Sequence, residues 1–255
     1  MVERAEEHWR PPLFKPARSR KDQLLAAARR FFDLQAGSAW IDLTEILPTV
    51  TGTLLDVGCG AQPFRPLIGP KTRYIGVDTA DAATKFGYEI RDTVYFTGDR
   101  WPIETESVDT VLCTETLEHL LDPRVLLLEA RRCLRVGGDL ILTVPFAARW
   151  HFIPYDYWRY TPSSLNSLLR ETGFDEVVVY ARGNALTVAC YKTMALFLPL
   201  LLGSDSGAAG TLVARLAGLL SLPLVILLAA IANLSLRSPG GDDCLGYTVL
   251  ARRHT

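Results

Sequence analysis

From about residue 51 to residue 182 the chain alternates between two hydrophobic rhythms. Short apolar runs suit buried strands, and they recur at Thr53–Val57, Tyr74–Asp78, Val94–Phe96, Val108–Cys113, Asp139–Val144 and Glu176–Tyr180, with a last one at Gly246–Ala251. Between them lie stretches with helical spacing. Arg124–Leu134 places Val125, Leu128 and Leu134 on one side and is predicted to end at Gly137-Gly138. Leu165–Leu169 sits in a helix opened by Thr161-Pro162-Ser163-Ser164, a cap residue followed by proline in the first turn. Gly173-Phe174 closes it. Ahead of the first strand, Asp22 is placed to cap a helix over Gln23–Leu34, with Leu24, Leu25, Ala28, Phe31 and Phe32 on one side and Gly37 as its stop. A second short helix over Trp40–Leu47 ends at Pro48. Strands alternating with helices predict an α/β fold, a doubly wound sheet of mostly parallel strands with helices on both faces.

One segment departs from this rhythm. Thr193–Ser204 is uncharged and apolar; a polar break, Ser204–Gly207, separates it from Thr211–Leu236. From Leu216 through Leu236 no charged residue occurs, which reaches the ~20 residues of a membrane span. Pro223 interrupts it, as membrane helices tolerate.

Composition narrows the function classes. The 255 residues are 49% hydrophobic with a net charge of -1, so no basic surface is available to hold nucleic acid by bulk charge. The five cysteines, Cys59, Cys113, Cys133, Cys190 and Cys244, are scattered without a C-x-x-C. They suggest reduced thiols in a cytoplasmic protein rather than a disulfide frame or a zinc knuckle, and no metal ligand set is read from the sequence. Met1–Arg20 is a polar arm rich in Pro, Arg and Glu, unlike a secretory signal.

The chemistry concentrates where the first strand ends, in Asp56-Val-Gly58-Cys59-Gly60. Glycines there allow a sharp turn and close approach of a ligand; the carboxylate can hold a cation, an amine or a hydroxyl. A dinucleotide fingerprint needs a third glycine at position 63, which is Pro63. The D-x-G-x-G turn instead resembles the cofactor loop of class I S-adenosylmethionine-dependent methyltransferases (type 11-like), from about Thr53 onward. A further family glycine is replaced by Gln62. LRVGGDLILTVP and the ending of helix, Gly-Phe, strand and a late strand GYTVLA also resemble that family. The resemblance implies a Rossmann-like sheet of seven strands with the last one antiparallel, between the fifth and sixth. It implies S-adenosyl-L-methionine as cofactor. Asp56, Gly58, Cys59 and Gly60 would lie under its methionine part, Asp78 on the ribose and Asp99 on the adenine amino group. Arg100 and Trp101 would flank the ring, and Thr114 and Glu115 would lie near the sulfonium. Asp109 resembles a structural acid of the fourth strand.

The implied reaction is in-line methyl transfer, in which the protein aligns the nucleophile and excludes water. A base is needed only where an O–H or N–H loses a proton. The candidates are His119 in LEHLLDP, and His151, Tyr155 and Asp156 in HFIPYDYWRYT, a run similar to a P-x-D-Y-W-R-Y-T segment of one bacterial branch of the family. That run is either an aromatic lid over substrate or a packed loop fixing the helix after it. Neighbouring sixth and seventh strands would keep both ends of the apolar segment on one side of a bilayer, which excludes a single crossing. A hairpin, interfacial helices or a greasy cap remain. Arg182, Lys192 and Arg237 would meet head groups. The expected organisation is an arm with helices (1–50), a methyltransferase core (51–192), a hydrophobic helical insertion (193–238) and the last core strand (239–255). The expected activity is methylation of a small, lipophilic or membrane-derived acceptor by a membrane-associated enzyme. The alternatives are a membrane-associated protein that binds the cofactor without turnover, and a nicotinamide-dependent oxidoreductase.

Overall fold

The computed structural model describes Ala17 and residues 19–86, 90–202 and 208–254. The arm expected over Met1–Arg20 and the polar break at Ser204–Gly207 lie almost wholly outside these residues.

Seven strands, β1 (Gly52–Val57), β2 (Thr72–Thr79), β3 (Thr93–Phe96), β4 (Val108–Thr114), β5 (Leu134–Pro145), β6 (Phe174–Arg182) and β7 (Gly246–Arg253), form one sheet in the order β3-β2-β1-β4-β5-β7-β6. β1 to β5 pair parallel, and β7 runs antiparallel to both neighbours. The expected seven-stranded fold with its reversed last strand is therefore present. Alternation along each strand splits the apolar residues between two faces. Leu54, Leu112 and Ile141 bury with Ala39, Leu43 and Leu47 of α2 (Leu34–Ile46) and the turn after it. Leu55, Val111, Cys113, Leu140 and Leu142 bury on the other face with α4 (Pro123–Cys133) and α5 (Pro162–Glu171). α5 starts as expected, with Thr161 and Ser164 forming a reciprocal capping box.

Several local expectations are corrected. The first helix, α1, runs Arg20–Phe32 with Ser19 as its cap; Asp22 is the reciprocal partner three residues on. Its apolar side is covered only at Phe31: Leu24 is 73% exposed, and Leu25 and Phe32 are exposed as well. Gly37 does not stop a helix but lies inside α2, where an added Cβ would stand 2.5 Å from the Arg30 carbonyl oxygen. Close approach of α1 to α2, not termination, is what requires glycine there. In α4 the inward residues are Leu126, Leu127, Ala130 and Cys133, while Leu128 is exposed and Val125 only half-buried. Leu134 already belongs to β5, and Gly137-Gly138 fall in an irregular stretch of that strand rather than at a helix end.

The apolar segment forms an antiparallel pair, α6 (Ala185–Leu202) and α7 (Ala208–Ser235), that begins ahead of Thr193. Val188, Cys190 and Met194 of α6 and Val225, Ala229 and Ala232 of α7 bury together with Leu34 and Leu245. The base of the pair is also pinned by polar contacts. Thr187 Oγ1 and Ser235 Oγ are 2.9 Å apart, and Asn233 Nδ2 donates to the Phe31 carbonyl at 2.9 Å. The outer face stays open, with Leu216, Leu219, Leu220, Leu224, Leu227, Ile231 and Leu234 exposed. Leu216–Ser235 is long and apolar enough to cross a membrane, and only 22% of that window is buried.

Candidate active site

The carboxyl ends of β1, β2, β4 and β5 meet at one edge of the sheet, the edge at which open parallel sheets bind ligands. Gly58 and Gly60 take the left-handed conformation, with φ of 64° and 52°. A Cβ on Gly58 would also stand 2.4 Å from Thr116 in the loop after β4, so the glycine loop and the β4 loop touch. The Gly60 amide donates to Asp78 Oδ2 at 2.9 Å, and Asp78 Oδ1 accepts from the Thr79 amide. The tips of β1 and β2 are thereby tied together around two carboxylates, Asp56 and Asp78, both buried.

Asp56 accepts a hydrogen bond from Tyr74 Oη at 2.7 Å through Oδ2, while Oδ1 has no hydrogen-bond partner among the described residues. Burial pushes its carboxyl up to about 7; the Asp78 charge adds to this and the Tyr74 hydrogen bond opposes it. Gln62 stands where a further glycine was expected. It holds the left-handed turn at φ 57° and donates to the Asp92 carbonyl and Thr93 Oγ1. This fastens the loop to β3 instead of leaving it open.

Two expected cofactor contacts are not brought to this edge by their side chains. The Cys59 thiol lies 3.6 Å from Thr93 Oγ1 behind the loop, and its amide is taken by the Val77 carbonyl. Trp101 is 4% exposed and packs in the core, its ring centroid 6.4 Å from that of Phe96. Asp99 and Arg100 remain exposed in the loop after β3. Asp109 sits at the far end of the sheet, accepting from the Thr53 amide at 2.7 Å and pairing with Arg135.

Beyond the glycine loop, a polar cluster faces the same edge. Thr114 ends β4, half-buried, and Glu115 follows with φ 46°. The Glu115 carboxylate pairs at 2.7 Å with Arg182, whose side chain is 0% exposed. Arg182 also donates to the Val144 carbonyl, so it holds the tips of β4 and β5 and cannot reach a head group as the sequence suggested. A short 3-10 turn, Leu117–His119, carries Glu118 inward and His119 to the rim. After β5, the segment from His151 to Tyr160 folds back over this turn. Tyr157 N–H donates to the Glu118 carbonyl, and Tyr160 Oη donates to the Leu117 carbonyl.

Within the cluster, His119 Nδ1 lies 2.7 Å from the Tyr155 carbonyl oxygen. His151 Nδ1 lies 3.0 Å from Asp156 Oδ2 and 3.1 Å from the Arg149 carbonyl oxygen. Those partners are acceptors, so each Nδ1 carries a proton and each Nε2 is turned away from them. The two rings are 5.0 Å apart between centroids. Burial holds the His119 imidazole neutral down to about 4, with the neighbouring His151 adding to the effect. Burial works against ionisation of Asp156, yet the Arg159 guanidinium, bonded at 2.6 and 2.7 Å, and His151 hold its carboxyl well below the usual range. Phe152 packs edge-on against His119, and Phe86 packs against it at a tilt. Glu118, Arg159 and Phe86 were not picked out by sequence reasoning as site residues. The spacing Glu115-x-x-Glu118-His119 at the end of a buried strand was the signal for Glu118.

A doubly wound sheet with a reversed final strand, and paired acids beside a glycine turn at its carboxyl edge, defines a class I S-adenosylmethionine-dependent methyltransferase. A family model described as a methyltransferase domain matches residues 32–179, and the chain belongs to that family, with S-adenosylmethionine as its cofactor. A ubiquinone biosynthesis O-methyltransferase of Cereibacter sphaeroides is 29% identical over 204 residues, 68% of this chain and 79% of that protein. An uncharacterized 37.1 kDa protein of transposon TN4556 from Streptomyces fradiae is 31% identical over 113 residues, 40% of this chain; the chain spans only 32% of that protein's length. A solved SAM-dependent methyltransferase from Archaeoglobus fulgidus has a TM-score of 0.51 at 18% identity, covering 90% of this chain and 99% of that one, a likeness of fold.

Proposed function

We propose that this chain transfers the methyl group of S-adenosylmethionine to a hydroxyl-bearing, lipophilic small molecule taken from a membrane surface. The observation that carries the transfer step is the meeting of two halves at one edge. The Gly60–Asp78 tie and the Asp56 carboxylate form the cofactor half, with Asp99 and Arg100 at the adenine end and Thr114 and Glu115 toward the sulfonium. His119, His151, Tyr155 and Asp156 form the acceptor half, linked to the first by the contact of Gly58 with Thr116. In-line displacement needs the acceptor atom on the far side of the methyl group from sulfur.

The membrane part of the proposal is supported by the open apolar face of α7 and by Leu24 and Leu25 of α1, beside the basic Arg20 and Lys21. Because α6 and α7 are attached to β6 and β7, neighbours in one sheet, both ends of the pair lie on one side. The base of the pair is packed on the domain, so docking would be face-on, as interfacial helices do. The ubiquinone-pathway relative acts, by its name, in the biosynthesis of a lipid quinone, which agrees with such an acceptor. Incubation with methyl-labelled cofactor and a total lipid extract tests this. Label is expected in the organic phase, with stoichiometric S-adenosylhomocysteine; label confined to water-soluble products would refute the lipophilic acceptor. Cofactor binding without any S-adenosylhomocysteine formed would favour a binding protein.

A further inference from the structure

We propose that Glu118, His119 and His151 form a binding site for one divalent transition-metal ion, of the Zn2+, Mn2+ or Fe2+ kind. One ligand atom from each of the three lies within 4.8 Å of the other two. Two imidazoles and one carboxylate suit such ions rather than Mg2+ or Ca2+, which prefer oxygen.

Three features besides proximity point to an ion. The first is Glu118. It is 0% exposed, and neither carboxylate oxygen has a hydrogen-bond partner among the described residues. Its nearest cationic candidate is His119 Nε2, 3.7 Å from Oε1, too far for a hydrogen bond. An unpaired buried carboxylate is costly, and a metal ion between Glu118 and the imidazoles would satisfy it. The second is the pair of imidazoles. Both turn Nδ1 onto acceptors, the Tyr155 carbonyl for His119 and Asp156 with the Arg149 carbonyl for His151. That arrangement fixes ring orientation and leaves Nε2 as the donor atom, as outer partners of metal-bound histidines do. Asp156 is fixed in turn by two bonds from Arg159. The third is access. The two histidine side chains are 11% and 18% exposed, so the cluster is not sealed from solvent. Tetrahedral ligation at about 2.0–2.1 Å brings ligand atoms closer together than 4.8 Å, so the cluster draws together when it takes up an ion.

The chemical role of the ion rests on the acceptor reading above, whereas the site itself rests on geometry alone. Bound to the acceptor's oxygen, the ion lowers the pKa of that hydroxyl. The hydroxyl proton leaves to water, an oxygen lone pair forms the new O–CH3 bond, and the C–S pair returns to sulfur. No electrons are gained or lost by the metal.

The test uses full-length protein treated with chelator, dialysed and titrated with Co2+ alone, whose visible absorption reports imidazole and carboxylate ligation. One Co2+ per chain is expected, displaced by Zn2+. His151→Ala and Glu118→Gln are each expected to abolish the saturable signal, and Asp156→Asn to weaken it by about 10–100-fold. Binding of S-adenosylhomocysteine serves as the check that each variant is folded. Should a variant fail that check, the wild type decides: Zn2+ is expected to protect His119 and His151 from diethylpyrocarbonate, read by mass spectrometry. No saturable Co2+ binding, equal binding by folded His151→Ala, or modification of both histidines in the presence of Zn2+ would overturn the site. Loss of methyl transfer with intact metal binding would instead overturn the acceptor reading alone.

Discussion

Replacing Asp56 by Asn separates what the fold requires from what the cofactor requires. Burial and the Asp78 charge raise the Asp56 carboxyl from 3.8 to about 7, ~3 pH units, or about 4 kcal/mol at about 1.4 kcal/mol per unit. The folded pKa lies above the unfolded one, so its contribution to stability is fully present below about pH 4 and is lost as pH rises to about 7. Between about pH 5.5 and pH 7 the wild type without cofactor is expected to lose ~2 kcal/mol that Asp56→Asn does not lose. Urea unfolding of both proteins across that range measures the difference, which removes common contributions such as that of Glu118, shifted in the same direction. The cofactor's α-ammonium should reverse the preference and draw Asp56 into its charged form. Binding of S-adenosylhomocysteine below pH 7 should then release a proton, seen by calorimetry in two buffers of different ionisation enthalpy, and affinity should rise with pH and level off above 7. Asp56→Asn should bind more weakly and release none. Parallel stability curves, or no proton release by the wild type, would refute this account of Asp56.

Three further outcomes are expected. Asp78→Ala removes the acceptor of the Gly60 amide and should weaken S-adenosylhomocysteine binding at least about tenfold, ~1.5 kcal/mol, measured by calorimetry; unchanged affinity would exclude Asp78 from the cofactor site. Gly58→Ala places a Cβ against Thr116 at a φ of 64°. It should cost ~1–3 kcal/mol in urea unfolding, and a loss below half a kcal/mol would show that the two loops separate freely. Leu220, 83% exposed, and Leu227 lie on the open face of α7. Changing both to Glu should leave the melting temperature nearly unchanged, as surface substitutions do, and abolish flotation with liposomes; retained flotation would move the membrane contact elsewhere.

Much of this protein was legible in the order of its residues because the relevant forces are local. The apolar runs, the glycine turn after Asp56 and the Thr161–Ser164 cap are written within a few positions, so strands, cofactor loop and α5 follow from pattern alone. The greasy length of α6 and α7 was equally plain. What pattern could not supply is which side of an element meets the rest. Leu126 and Leu127, rather than Leu128, face the sheet because α4 packs on β4 and β5. Gly37 reads as a stop but serves a helix contact. Arg182 reads as a lipid anchor beside an apolar segment, yet it is consumed by Glu115 and the tip of β5. Trp101 reads as a ligand contact and is core. Above all, Glu118, His119 and His151 are more than thirty positions apart at their extremes and carry no shared spacing. Only the parallel pairing of β4 with β5, which puts both strand ends on one edge, sets a buried acid beside two oriented imidazoles.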